Sequence, residues 1–453
     1  MTKKLATRRE MLTISAAALG WGGIGASAAR GANDRIRMGF IGVGNRGSQL
    51  LSSFMKNGDA EIAALCDVYE PYLQRDRSRV DKDWLDALGE RIPKMGESFP
   101  TEPQRYLDFR RLLEQKDIDA VCIATPDHWH AIQTIMAVQA GKDVYVEKPL
   151  SIAIHEGRRM VMAAQRTKQV VQVGLHRRSS TMYAHLAQLV QGGGIGTVSV
   201  ARAYRVSNMF PKGIGHCDPA KPPEGFDWDM WLGPREEREF QTNISPYKFR
   251  WWQDYSSQMG NWGVHYCDAI RWVLNEEAPV SISAHGSKIG FEDDRTIPAT
   301  MEATFELPSG VLLVFGQYEA SGGDPLSDGE IEFRGTKGNL YPAAEGAGYK
   351  IVPTGGGQFQ SKKRNIQAVE QGRMDGDLTD QHVRNFLDCA KSRERCHCDL
   401  ETGHRSTTFA HLANIALATR SRLDWDPVRE RFTNNEEANK LLQYEYRKPW
   451  RLG

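Results

Sequence analysis

Apolar and polar positions along this chain follow two rhythms, and the change of rhythm divides it. Between residues 36 and 173 short, nearly continuous apolar runs recur at 38–41, 62–66, 118–124, 143–146 and 170–173, with helical periodicity between them, as at 130–140 and 156–168. Runs without alternation belong to parallel strands covered on both faces, and the helical stretches to the crossovers that join them. The predicted unit is a doubly wound parallel sheet, whose ligands sit beyond the carboxyl ends of the strands. The charged stretch 70–105, with Trp84 and Leu85 as its main apolar features, reads as helix plus a loop inserted at the edge of this unit.

From residue 152 the pattern changes. After helices at 156–168 and 183–191, period-two runs appear at 198–205, 280–289, 301–307, 311–318 and 330–334, and Pro308-Ser309-Gly310 reads as a hairpin turn between two of them. This predicts a second, α+β unit built on a large, mainly antiparallel sheet. The Pro- and Gly-rich stretch 207–228 is expected to be a long loop and a candidate lid. A helix is expected at 260–274, loop at 346–377, closing helices at 380–391 and 402–422, and a polar tail pinned by Tyr444, Tyr446 and Trp450. The boundaries that follow are 1–32 for an export segment, 33–153 for the first unit, 154–426 for the second and 427–453 for the tail.

The first connection carries the strongest motif. Gly42-Val43-Gly44-Asn45-Arg46-Gly47 lies between a strand and a helix, and Asp67 closes the next strand twenty residues after the last glycine. Gly42 permits the tight turn, Gly44 lets a pyrophosphate approach the backbone, and Gly47 lets the helix pack close to the strand. The phosphates would sit at the helix N-terminus, where free N–H groups and the helix dipole favour an anion. Asp67 would accept hydrogen bonds from ribose hydroxyls and repel a 2′-phosphate, so NAD is expected in preference to NADP.

Charge and composition remove several function classes. With 58 basic and 57 acidic residues the formal charge is +1, which leaves no footprint for nucleic-acid binding. The N-terminus differs from the rest. Arg8-Arg9 precedes an uncharged, small-residue run at 14–29 ending near Ala26-Ser27-Ala28, the plan of a twin-arginine export signal and an expectation of periplasmic localisation. The run is too short and too interrupted by glycine for a stable membrane anchor. Seven cysteines form no disulfide framework at this length, and Cys396-His397-Cys398 has no second pair nearby to complete a zinc site, so no metal is expected.

Three stretches could carry chemistry. Glu147-Lys148-Pro149 follows a buried strand directly, so Lys148 stands at the edge where a nicotinamide would lie, although taken alone such a lysine is more often a solvated edge residue. Thr125-Pro126 ends the preceding strand, and His130 starts the next helix, as a cofactor contact or a cap. In the third, Asn261, His265, Asp268 and Trp272 share one helix face. His265 is the best general base by its ordinary pKa, with a satisfied core histidine as the alternative.

Taken together and in this order, Gly42 to Gly47, Thr125-Pro126 with His130, Glu147-Lys148-Pro149 and Gly263-Val264-His265 resemble the glucose-fructose oxidoreductase, inositol dehydrogenase and MocA (Gfo/Idh/MocA) family, over residues 36 to about 422. The resemblance implies a Rossmann domain followed by an open-faced sheet domain, self-association through that sheet, and nicotinamide chemistry on a sugar or cyclitol. Asn45, Arg46, Thr125, Pro126, His130, Glu147 and Lys148 would join the glycines and Asp67 at the cofactor, Lys148 would match the family's active-site lysine and His265 its histidine. Many family dehydrogenases place an aspartate four residues before that histidine; here the position is Asn261, which cannot stabilise an imidazolium by charge. Asp268, one turn beyond, is either its substitute or a structural residue. Arg177, Tyr183, Trp252 and Asp254, with His265, are the expected substrate contacts, and Arg178, Trp251, His404 and Arg405 are further candidates; each reads equally as core aromatic or surface charge.

Export of a folded protein into a space poor in free NAD would require a carried, recycled cofactor. The first expectation is hydride transfer from a sugar CH–OH to bound NAD, with His265 taking the proton and Lys148 positioning the oxygen. The alternatives are a redox-neutral NAD-dependent glycosidase or epimerase working through a keto-sugar, whose family branch differs at the Glu-Lys-Pro position retained here, and a non-catalytic nucleotide-bound binding protein, which Asn261 favours.

Overall fold

The early apolar runs become one parallel sheet because alternate side chains have apolar partners on both sides. The strands are β1 (Ile36–Ile41), β2 (Ala60–Cys66), β3 (Gln104–Tyr106), β4 (Ala120–Ile123), β5 (Asp143–Val146) and β6 (Val171–Val173), in the order β3-β2-β1-β4-β5-β6. Every pairing is parallel. Within β4, Val121 and Ile123 enter one buried cluster while Ala120 and Cys122 enter the other. That two-sided burial is why the sequence shows no alternation here. Strand order reverses between β1 and β4, and the crevice at such a reversal is where this topology binds its ligand.

These observations come from a computed structural model that describes residues 35–326, 328–359, 366–372 and 375–453; the export segment expected at 1–32 lies outside the described residues. Residues 36–453 form one compact unit. Among the described residues no helix is long and apolar enough to cross a membrane.

The second sheet has ten strands: β7 (Val198–Val206), β8 (Ser281–Ser287), β9 (Thr300–Glu306), β10 (Leu312–Tyr318), β11 (Ile331–Gly335), β12 (Gly338–Pro342), β13 (Tyr349–Pro353), β14 (Val369–Gln371), β15 (Leu423–Asp426) and β16 (Arg431–Phe432), ordered β14-β13-β12-β11-β7-β10-β9-β8-β15-β16. All pairings are antiparallel except that of β7 with β10. One face is apolar: Ala201, Ala203, Phe305, Phe315 and Phe333 pack with Tyr266, Ile270, Phe409 and Leu412 of the helices Val264–Leu274 and Leu400–Thr419. One-sided burial produces the period-two pattern. The expectation of loop at 346–377 is corrected, because β13 and β14 extend the sheet at its edge. Tyr349 and Ile351 are buried, but a short edge strand offers too few inward positions to show a period.

The long loop after β7 folds back across the first sheet. Phe226 bridges to Tyr69, the Asp227 N–H donates to the Val68 carbonyl at 2.9 Å, and the Glu70 N–H donates to the Gly225 carbonyl at 2.9 Å. Trp84 of the inserted stretch is buried against Phe226, with ring centroids 5.3 Å apart. The tail is held where its aromatics predicted: Tyr444 and Tyr446 donate to buried Glu156 at 2.7 and 2.6 Å, and Trp450 packs edge-on against Trp129.

The Gly47 contact makes a direct test of the turn. A Cβ there would lie 2.0 Å from the Gly42 carbonyl oxygen, an impossible contact with backbone. Gly47→Ala is therefore expected to cost about 1–3 kcal/mol through overpacking, and to lower nucleotide retention because the turn must shift. Thermal denaturation together with nucleotide content checks this; an unchanged midpoint and full retention would contradict it.

Candidate functional site

The carboxyl ends of β1, β2, β4, β5 and β6 open into a cavity of about 320 Å³, and the loop Phe226–Arg250 with the start of the helix at Asn261 supplies its other wall. At one end lies a dinucleotide cradle. Gly42, at φ +84°, turns the chain back after β1. A Cβ on Gly44 would meet only the Tyr72 ring, at 3.5 Å, so the space beside it belongs to the cavity. The helix Asn45–Met55 has no side-chain cap and no acid in its first turn, leaving its N–H groups for an anion. Asp67 lines the cavity and accepts from the Val43 N–H at 2.8 Å and the Tyr69 N–H at 3.0 Å. Burial pushes its carboxyl up to about 6, against the pull of those two N–H groups. These residues fit a dinucleotide: Gly42, Gly44 and Asn45 line the cavity where the phosphates would lie and Asp67 where a ribose would, while Arg46 reaches from the same turn to Glu147.

At the other end, β5 delivers Glu147 and Lys148. Arg46 donates to Glu147 at 2.8 Å; burial favours the neutral acid, but Arg46 and then Lys148 outweigh it and hold the carboxyl below its ordinary value. Lys148 Nζ donates to the Asn261 carbonyl at 2.9 Å and to Asn261 Oδ1 at 3.0 Å, while Asn261 Nδ2 donates to Gln258 at 3.1 Å. The amide is thus fixed with its oxygen on the lysine. Burial brings the Lys148 ammonium down to about 8, opposed by Glu147 and assisted by Arg250. No carboxylate among the described residues pairs with it.

Two histidines face this lysine. His265 and His176 lie with ring centroids 5.3 Å apart, both lining the cavity and each with a buried Nδ1 that has no partner. Burial holds both well below the ordinary histidine value, reinforced at His265 by Lys148 and at His176 by Arg177. Burial therefore favours the neutral imidazole at both. The helix carrying His265 opens with a π-turn, Met259–Gly263, an irregularity often found at functional sites.

Several expected residues lie elsewhere. Asp268 does not reach the cavity: it is 1% exposed and bonded to Arg178 at 2.8 Å and Ser406 at 2.5 Å, so it cannot substitute for the missing aspartate. His130 ties strand ends together, with its ring nitrogens 2.7 Å from the Pro149 carbonyl and 3.0 Å from the Thr125 carbonyl, and does not line the cavity. Gly47 supports the turn from behind. Of the expected substrate contacts only His265 is at the cavity. Arg177 and Tyr183 both serve Glu330, at 2.8 and 2.9 Å; Trp252 donates to the Asn243 carbonyl; Asp254 pairs with Arg235. Arg178, Trp251, His404 and Arg405 are likewise committed, to Asp268, Glu319, Glu430 and Glu401. The cavity instead presents His176, Asp127, Trp231, Tyr247, Arg250 and Trp262. His176 stands just beyond β6, the position that picked out Lys148 beyond β5, so the same rule could have found it.

Comparison with known proteins agrees with this geometry. A model described as "Oxidoreductase family, NAD-binding Rossmann fold" matches residues 36–175, and one described as "Oxidoreductase family, C-terminal alpha/beta domain" matches residues 188–452. A glycosyl hydrolase family 109 protein of Shewanella pealeana is 36% identical over 136 residues, 30% of this chain and 27% of that protein. A homologue of the same description from Shewanella baltica is 34% identical over 140 residues, again 30% and 27%. The match thus spans about a quarter of these relatives' length. An aldose-aldose oxidoreductase of Caulobacter crescentus complexed with glycerol shares the fold, at TM-score 0.60 and 15% identity over 86% of this chain and 99% of that one. So does the WlbA dehydrogenase of Bordetella pertussis in complex with NADH and UDP-GlcNAcA, at 0.60 and 18% over the same shares. With both halves matched by the family's models, the chain belongs to the Gfo/Idh/MocA oxidoreductase family and carries its NAD-binding Rossmann fold.

Proposed function

We propose that this chain is an NAD-dependent oxidoreductase acting on a CH–OH group of a sugar, sugar derivative or cyclitol, with a tightly held, recycled cofactor. The observation that carries the reading is the placement of Lys148, without a carboxylate partner, between the dinucleotide cradle and the two neutral histidines. Bound NAD would supply the hydride acceptor. Lys148 gives two N–H groups to Asn261 and keeps its third position for the cavity; with its ammonium held at about 8 it can take the hydroxyl proton near neutrality. His265 and His176 accept hydrogen bonds from the substrate hydroxyls and orient them. This reverses the roles expected from ordinary pKa values: forming an imidazolium at His265, buried beside Lys148, is unfavourable. Phe226, Trp231 and Trp262 exclude water and offer flat faces for a sugar ring.

Asp67 supports NAD over NADP, since its carboxylate would lie against a 2′-phosphate. Asp67→Asn is expected to weaken NAD retention and to narrow the preference over NADP by about ten-fold or more, a loss of roughly 1.4 kcal/mol of discrimination. Competitive loading with both nucleotides measures it, and an unchanged ratio would remove Asp67 from the choice.

The test of the whole reading is to purify the protein without added nucleotide, denature it and identify what is released, then screen sugars and cyclitols for nicotinamide reduction. NAD released near one per chain with reduction by a sugar supports it. A second reading, a redox-neutral glycosidase or epimerase, is favoured by the similarity to proteins named glycosyl hydrolase family 109; release of a chromogenic aglycone without net reduction would establish it instead. Occupied cofactor with neither activity would point to the binding-protein alternative. We also propose export through the twin-arginine route, from Arg8-Arg9 and the apolar run after it, and a homo-oligomer formed through the ten-stranded sheet, from the family resemblance.

A further inference from the structure

Several buried or half-buried guanidinium groups among the described residues have carboxylate partners. Arg46 pairs with Glu147 at 2.8 Å, Arg75 with Glu97 at 2.6 Å, Arg177 with Glu330 at 2.8 Å, Arg178 with Asp268 at 2.8 Å and Arg295 with Glu319 at 2.6 Å. Others stack on aromatic rings instead, Arg205 on Trp262 and Arg238 on Trp252, and the cavity itself is lined by two of this kind. Arg250 Nη1 donates to the Tyr247 carbonyl at 2.9 Å, and its guanidinium lies over the rings of Tyr247 at 4.3 Å and Phe249 at 4.5 Å. Arg91, from the stretch inserted into the first domain, lies over the same Tyr247 ring at 5.2 Å. Both arginines line the cavity, and neither has a carboxylate within ion-pair distance among the described residues.

The cavity's own acids do not answer them. Asp67 is engaged by two backbone N–H groups, Glu147 by Arg46, and Asp127 by Ser256. A guanidinium stacked on an aromatic ring is held in place while its N–H edge stays open, which suits a planar, two-oxygen acceptor. Arg250 also sits close enough to Lys148 and Asp127 to act on both electrostatically, which puts it at the end of the cavity where the proton is moved. The pyrophosphate already has the glycine turn and the N-terminus of the helix Asn45–Met55.

We propose that Arg91, Tyr247 and Arg250 form an anion subsite, and that the substrate is a carboxylate-bearing sugar, a uronic or aldonic acid, in preference to a neutral one. The term substrate rests on the oxidoreductase reading above; the subsite does not. The carboxylate would take the Arg250 N–H edge and the sugar ring the neighbouring aromatic faces, leaving a carbinol for Lys148.

The experiment uses the full, NAD-loaded protein and follows quenching of tryptophan fluorescence, to which Trp231 and Trp262 in the cavity wall contribute, during titration with D-glucuronate, D-gluconate and, as the neutral control, D-glucose at constant ionic strength. At least one acid is expected to bind about ten-fold or more tightly than glucose, and Arg250→Gln to weaken it about ten-fold or more, the loss of one charge-assisted contact. Arg91→Gln, an exposed position where folding is not at issue, should weaken acid binding in the same direction. Equal binding of acids and glucose, or no binding of either acid, overturns the proposal. So does a pair of variants that lose bound NAD while keeping acid affinity, which would assign the arginines to the cofactor's pyrophosphate. Arginine-dependent acid binding without nicotinamide reduction would leave the subsite standing and sink the oxidoreductase reading.

Discussion

Lys148→Ala is expected to lower turnover by about two to four orders of magnitude, the range typical for loss of a positioned proton acceptor. The side chain fills a site no neighbour can take over. Nζ is held by both oxygens of Asn261, and among the described residues no carboxylate forms an ion pair with it, although Glu147 and Asp127 act on it from further off. The two histidines are a poor reserve, because each is held well below its ordinary value and would have to become a buried cation. Truncation also leaves the two Asn261 oxygens without their donor, so a thermal midpoint should accompany the kinetics. Lys148→Arg separates the two functions of the residue. A guanidinium keeps the positive charge but does not give up its proton in this range, so it should not restore turnover. The measurement is the single-turnover rate of nicotinamide reduction on an identified substrate. A rate unchanged in either variant would take Lys148 out of the proton path.

Asn261→Asp should move the pH dependence, because the position sets the charge state of that lysine. In the native protein the neutral amine grows as pH rises through about 8, so the rate should climb through that region and level off above it. Asn261 offers Lys148 two dipolar oxygens and no net charge. A carboxylate at the same distance favours the ammonium and is expected to raise its pKa by about one to three pH units. The limb moves to higher pH, and the rate near neutrality falls by about ten- to a thousand-fold while recovering in alkaline buffer. A variant that merely damaged the fold would be slow at every pH. A limb that stays in place would show that another group titrates, and would return His265 or a water-linked path to consideration.

The structure makes sense of the asparagine that stood out in the sequence. Read alone, Asn261 suggested a broken relay and so a protein without turnover. In place, its amide is oriented by Gln258 and its oxygen by Lys148. An uncharged acceptor lets burial bring the lysine down to about 8, which a buried ion pair would oppose. On the proposed reading, the residue that weakened the case for catalysis is the one that fits the lysine to act as a base near neutral pH.

Some of the site was legible because its parts are local. Gly42, Gly44, Gly47 and Asp67 lie within one strand-turn-helix-strand unit, so their spacing alone implies a cradle, and Lys148 is placed by the strand that ends just before it. Residues read by type were misplaced. Arg177 and Tyr183 look suited to hydroxyl recognition, but Glu330, about 150 positions away, takes both of them; Asp268 is taken by Ser406, 138 positions on. Arg250, placed among aromatics, gave no signal of its own, and His176, set in a basic run, was marked only by its place just beyond β6.

By itself, then, the sequence determined the two-sheet plan, the dinucleotide turn and the position of the lysine, because each depends on periodicity or on neighbours within about thirty residues. Tertiary structure decided which polar residues are free to do chemistry. Burial under the returning loop lowers Lys148 and silences the charge on both histidines, while long-range partners engage Arg177, Asp268 and His404 and leave Arg250 unpaired. Charge state and availability follow from desolvation and from the partner opposite, and neither is a property of a residue's place in the chain.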